Sequence, residues 1–161
     1  ASEIWRGQAL ASNSNNQITV KYAFMGGATA ASVVVVASQY SGVQSIGASA
    51  TATGSSTTPT VSLNMEDANN FVVVSIAQRA NPVDTFAQVD GTIRGQAATS
   101  AALANVLGGL VDNTSSSTGP LISSVLSTKN DVWAVAAYEL RSVIPNRSMV
   151  YFGTRQRRNG L

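Results

Sequence analysis

A chain of 161 residues can enclose one real core, because a domain of this size buries roughly 70% of the surface that its unfolded chain exposes. It holds no cysteine and no histidine, which excludes disulfides, thiolate and imidazole metal ligands, and the Ser-His-Asp and Cys-His nucleophile systems. Charged residues make up 11% with a net charge of +2, against roughly 25% in an average soluble domain. So small an imbalance builds no basic field for nucleic acid, and no apolar run approaches the ~20 residues of a membrane span.

Residues 3–10 alternate apolar and polar side chains and read as an edge strand carrying Trp5, either a core plug or an exposed anchor for a neighbour. After the turn cluster at residues 12–16, Ile18, Val20, Tyr22 and Phe24 share one face of a second strand at period two. The run Ser-Val-Val-Val-Val-Ala-Ser-Gln-Tyr-Ser-Gly-Val at residues 32–43 is β-branched and bounded by glycines. It reads as the strand around which the core is organised, buried on both faces or nearly so. Residues 45–59 are almost all small, and read as either a long surface loop or a weak edge strand, since Thr and Ala alternate from Ala48 to Thr53. A short strand over residues 60–64 turns Val61 and Leu63 inward.

Residues 66–70 are a polar turn whose carboxylates and amides are hard oxygen ligands suited to Ca²⁺, although the spacing of a calcium-binding loop is missing. A second valine-rich strand occupies residues 71–78, and a loop follows to Asp84. Asp90-Gly91 predicts a hairpin between strands at residues 85–89 and 92–97. Leu103, Val106, Leu107, Leu110 and Val111 fall at helical spacing with Ser100 as a cap, which predicts one short helix over residues 101–107, stopped by Gly108-Gly109. Residues 112–120 read as a polar loop, 121–126 as a strand, and 132–143 as the third long strand. In that strand Trp133, Val135, Ala137 and Glu139 share one face and Val132, Ala134, Ala136, Tyr138 and Leu140 the other. A strand apolar on both faces needs two layers, hence an all-β, mainly antiparallel sandwich. Glu139 is the exception within it, with Arg79 or Arg141 as the expected partner.

Gln39-Tyr-Ser-Gly-Val43, the tract rising to Gly54-Ser-Ser-Thr-Thr-Pro-Thr60, Phe71-Val-Val-Val74 and Val132-Trp-Ala-Val-Ala-Ala-Tyr-Glu-Leu-Arg141 together resemble the β-sandwich, jelly-roll-like domains of secreted bacterial proteins and tailed-phage virion proteins. The resemblance covers about residues 3 to 141. It implies a single sandwich over residues 1–145. Such domains often carry further strands ahead of the counterpart of Glu3-Ile-Trp5, so the first half of the roll is expected to be shortened here or completed by another chain. Residues 146–161 add a strand and a tail containing Arg155, Arg157 and Arg158, fit for assembly or for pairing within its own sheet.

A surface of hydroxyls, amides and small apolar groups suits contact with other copies of the chain or with a lattice protein, because few ions are desolvated when it is covered. The sequence therefore reads as a non-enzymatic structural subunit of a viral particle: a phage head decoration or cement protein, or another capsid- or tail-associated protein, located in the virion. Trp5, Met149, Tyr151, Phe152, Arg155, Arg157 and Arg158 are the candidate assembly residues. No cofactor, nucleic acid or membrane partner is expected. One alternative is a carbohydrate-binding module whose glycan would stack on aromatics among Trp5, Tyr22, Tyr40, Trp133, Tyr138 and Tyr151. Another is the subunit of an extracellular filament or tube at the cell surface. The carboxylates Glu3, Glu66, Asp67, Asp84, Asp90, Asp112 and Asp131 lie mostly at strand ends and turns, where polar residues are expected anyway, so none is named as catalytic.

Overall fold

The computed structural model describes Ile4 and residues 34–81, 83–99, 105–114 and 118–142. The strands among these residues are β1 (Val43–Ser56), β2 (Thr60–Met65), β3 (Phe71–Arg79), β4 (Phe86–Gln88), β5 (Thr92–Ala98), β6 (Val106–Thr114), β7 (Gly119–Ser127) and β8 (Asp131–Ser142). A five-stranded sheet in the order β1-β8-β3-β6-β5 faces a three-stranded sheet in the order β2-β7-β4. Every pairing is antiparallel: first with last, second with seventh, third with sixth. This is the nested ladder of a jelly roll. Among the described residues, all the strands of this ladder lie within Val43–Ser142.

The small sheet is amphipathic by alternation. Val61, Leu63 and Met65 are buried while Ser62 and Asn64 face solvent, the period-two pattern of a sheet wet on one side. Across the gap, Val72, Val74, Ile76, Leu107, Val111, Val135 and Ala137 complete the core, with Phe86 and Val125 closing it from β4 and β7. Burying each larger aliphatic or aromatic side chain contributes roughly 1.5–3 kcal/mol. The large sheet is also buried on parts of its outer face, at Val73, Leu110 and Ala136, which is why β3 and β8 read as near-continuous apolar runs.

The run at residues 32–43 is not the central strand. Among its described residues, 34–40 form no strand and pass over the outer face of β5 and β6, and β1 starts at Val43. Val34 sits on Gly108 and Val36 on Gly95. A β-branched pair spaced by two looks the same in sequence whether it fills a sheet interior or two glycine sockets. The central strands are β3 and β8, as expected, with β6 in the third place.

The expected helix is also corrected. Residues 101–104 lie outside the described residues, but Val106 and Leu107 open β6, and Gly108-Gly109 continue it. A Cβ on Gly109 would lie 2.8 Å from the Phe86 ring and one on Gly108 2.6 Å from Val34, so these glycines make room on either face of a strand rather than ending a helix. Asp112 to Thr114 and Gly119-Pro120 belong to β6 and β7, not to a loop. The Asp90-Gly91 turn exists, with Gly91 at φ 85° and a Cβ there only 2.3 Å from the Asp112 carbonyl oxygen. Yet β4 and β5 do not form a ladder with one another; β4 pairs with β7 and β5 with β6. The expected strands at residues 3–10, apart from Ile4, at 17–24 and at 148–153 lie outside the described residues.

Candidate assembly surface

One flank of the sandwich is made by β1 and β2, among the described residues the edge strands of the large and small sheets, which lie against each other. A buried carboxylate holds this flank. Glu139, fully buried on β8, accepts Ala48 N–H at 3.1 Å from β1. It also accepts Glu66 N–H at 3.2 Å and Asp67 N–H at 3.2 Å from the β2–β3 turn, and Asn70 Nδ2 at 2.8 Å. Asn70 Oδ1 in turn accepts Ser142 N–H at 3.2 Å. One side chain thus ties three segments together by charge-assisted hydrogen bonds, roughly twice the strength of neutral ones.

Gly47 leaves the space that the carboxylate needs, since a Cβ there would fall 2.5 Å from Glu139 Oε2. The register of β1 on β8 shifts at this place, between Ile46 and Ser49. The expected arginine partners for Glu139 are corrected. Arg141 pairs with Glu66 and Asp67, and Arg79 with Asp131. Glu66 and Asp67 are thereby engaged by a cation, and among the described residues no group of three or more acidic side chains is placed to hold a metal.

No charged residue lies between Lys21 and Glu66, so both edge strands are wholly uncharged. From Ser49 to Ser56 the pairing of β1 with β8 runs without a shift, Ser49 opposite Tyr138 through Ser56 opposite Asp131. Ala50, Ala52 and Gly54 turn inward, Gly54 lying under the Trp133 ring. Ser49, Thr51, Thr53 and Ser55 face outward and are exposed. Among the described residues no strand pairs with the outer edge of β1. Edge strands are ordinarily blunted by lysine, proline, a bulge or shortness; this eight-residue stretch has none of these.

The outer face of the small sheet adjoins the flank and carries two exposed aliphatic side chains on β7. Ile122, opposite Ser62, and Leu126, opposite Ala87, are 57% and 47% exposed. Charge collects elsewhere. Asp112, 4% exposed on β6, meets Arg94 at 2.5 Å. Tyr40, at the end of the strap formed by residues 34–40, is half-buried beside this pair, and burial first, then the Asp112 carboxylate, push its ionisation above that of an ordinary tyrosine. Lys129 and Arg79 flank Asp131 at 3.0 and 3.3 Å.

The sequence-named assembly residues Trp5, Met149, Tyr151, Phe152, Arg155, Arg157 and Arg158 all lie outside the described residues. Of the aromatics weighed for glycan stacking, Trp133 is occupied by packing on Gly54 and by its indole N–H, which donates to Ser56 Oγ at 2.9 Å. Tyr138 is half-buried. The sequence offers the β1 edge as one of two alternatives, with the Thr-Ala alternation as its signal. Among the described residues no helix is long and apolar enough to cross a membrane. No protein-family model, curated protein or solved structure matches the chain.

Proposed function

We propose that the chain is a non-enzymatic structural subunit of a viral particle, a decoration or cement protein of a phage head or another capsid- or tail-associated protein, acting through protein–protein contacts. The observation that carries this reading is the pair of uncharged strand edges, unpaired among the described residues, that form one flank and are continued by the exposed Ile122 and Leu126 of β7. Covering the two strand edges desolvates few ions and satisfies main-chain donors and acceptors that otherwise face water. The jelly-roll winding is in keeping with it, since that architecture serves capsid as well as lectin domains; this part of the support is analogy of fold.

The test is mass spectrometry of gradient-purified viral particles from the source culture, followed by cryo-electron microscopy. The chain is expected in fixed proportion to the main lattice protein, with density for the sandwich on the particle. Its absence from every particle fraction overturns the reading.

A further inference from the structure

The regular part of the β1 edge is nearly palindromic. Ser49-Ala-Thr-Ala-Thr-Gly-Ser55 reads the same from either end about Ala52: threonine at one residue on each side, alanine or glycine at two, serine at three. We infer that a second copy of this chain pairs here, antiparallel, β1 on β1 about a two-fold axis through Ala52, joining two five-stranded sheets into one. The inference rests on reading the chain as an assembly subunit and names the surface and the partner.

A two-fold contact is isologous: whatever lies at one position must suit its mirror position on the other copy. About Ala52, Thr51 falls opposite the partner's Thr53, Ser49 opposite the partner's Ser55, and Ala50 opposite the partner's Gly54. Outward residues meet outward ones and inward meet inward, so the pleat runs on without a break. Thr–Thr and Ser–Ser cross-strand pairs are favourable. No charge is opposed to itself anywhere in the segment, whereas a charged edge meeting its own copy about a two-fold axis brings like charges close. The bulged residues Val43 to Ser49 end the pairing on one side and the Thr57-Thr58-Pro59 turn on the other. Pairing over so short a stretch is expected to bury less than the ~1,000 Å² of a durable interface, so the dimer exchanges with monomer.

Sedimentation velocity of the purified chain across a concentration series reads this directly. The weight-average coefficient is expected to rise with concentration in the wild type and to stay at the monomer value in T51K/T53K, which sets lysines face to face. In T51K/T53E each lysine meets a partner's glutamate, and association is expected to return and to weaken with salt. Because the chain has no cysteine, register is checked independently: a mixture of T51C and T53C chains is expected to form a disulfide-linked dimer on oxidation, and either chain alone far less. A wild type that stays monomeric at all concentrations overturns the inference, as does association that T51K/T53K leaves unchanged or T51K/T53E fails to restore. The two readings fail separately. A monomeric protein that is found on particles removes the β1 pairing and leaves the virion role, and a β1-paired dimer absent from particles does the reverse.

Discussion

Gln96 meets Phe86 as a strand would. Its Oε1 accepts Phe86 N–H at 2.6 Å and its Nε2 donates to the Phe86 carbonyl at 3.0 Å, so a side-chain amide on β5 supplies the rung between β4 and β5 that the main chain does not. Replacing Gln96 with alanine leaves both Phe86 main-chain groups without these partners in a half-buried place. The expected cost is about 1–3 kcal/mol of unfolding free energy, measured by urea denaturation with an unchanged slope. A loss within ~0.5 kcal/mol, the range of an ordinary surface substitution, would show that the rung carries no weight.

Glu139→Gln tests the carboxylate clamp. The amide keeps one acceptor oxygen where two now serve Ala48, Glu66, Asp67 and Asn70, and turns an NH₂ toward donors. The expected destabilisation is about 1.5–3 kcal/mol, the scale of a hydrogen bond to a charged group. Hydrogen exchange locates it: the Ala48, Glu66 and Asp67 amides should exchange faster than those of β6, and uniform change across the sandwich would argue against a local clamp.

Gly108→Ala tests the strap. A Cβ at this position lies 2.6 Å from Val34 Cγ1 and 2.7 Å from Val34 Cβ, too close for any rotamer to relieve. Residues 34–40 are expected to lift from β5 and β6, at a cost of about 1–3 kcal/mol, and to become sites of limited proteolysis while the core stays folded. A crystal structure of the variant with Val34 unmoved would refute the socket.

How much of this was legible beforehand depends on where each residue's partner lies. β2, β3, β7 and β8 could be read because their signal is local: Val61 and Leu63 alternate with polar neighbours, and Val72 to Val74 are β-branched in a row. Gly108-Gly109 were misread as breakers because their reason for being glycine is Val34 and Phe86, far off in sequence. Asp90-Gly91 gave the turn correctly and the pairing wrongly, since a turn fixes a reversal of direction but not which sheet the next strand joins. At the candidate surface, the small-residue alternation of β1 was visible; that this alternation forms an open edge depends on β8 taking the other side.

The pH dependence of stability is expected to carry a contribution from Asp131. The hydrogen bond from Lys129, then the Val132 N–H, and the charges of Arg79 and Lys129 hold its carboxyl below the ordinary aspartate range. A lowered native value means that the unfolded chain takes up a proton first as the solution is acidified, so the stabilisation is full above the unfolded value and is lost as pH falls through the native one. In urea unfolding from neutral to acid conditions, Asp131→Asn is expected to be the less stable protein at neutral pH, the two curves converging at the acid end. Parallel curves would remove Asp131 from the acid response.

The nesting of first strand with last has a consequence for how the molecule comes into being. Val43 meets Ser142 and Ser56 meets Asp131, so β1 leaves the ribosome long before the strand that will lie beside it. Contacts so distant along the chain make acquisition of the native state slow, and throughout that interval an uncharged strand stands open on both sides. The stretch inferred to join two finished copies is thus also where two nascent ones could stick too early, and production of soluble protein should improve at low temperature and slow synthesis, conditions that keep the concentration of half-made chains down.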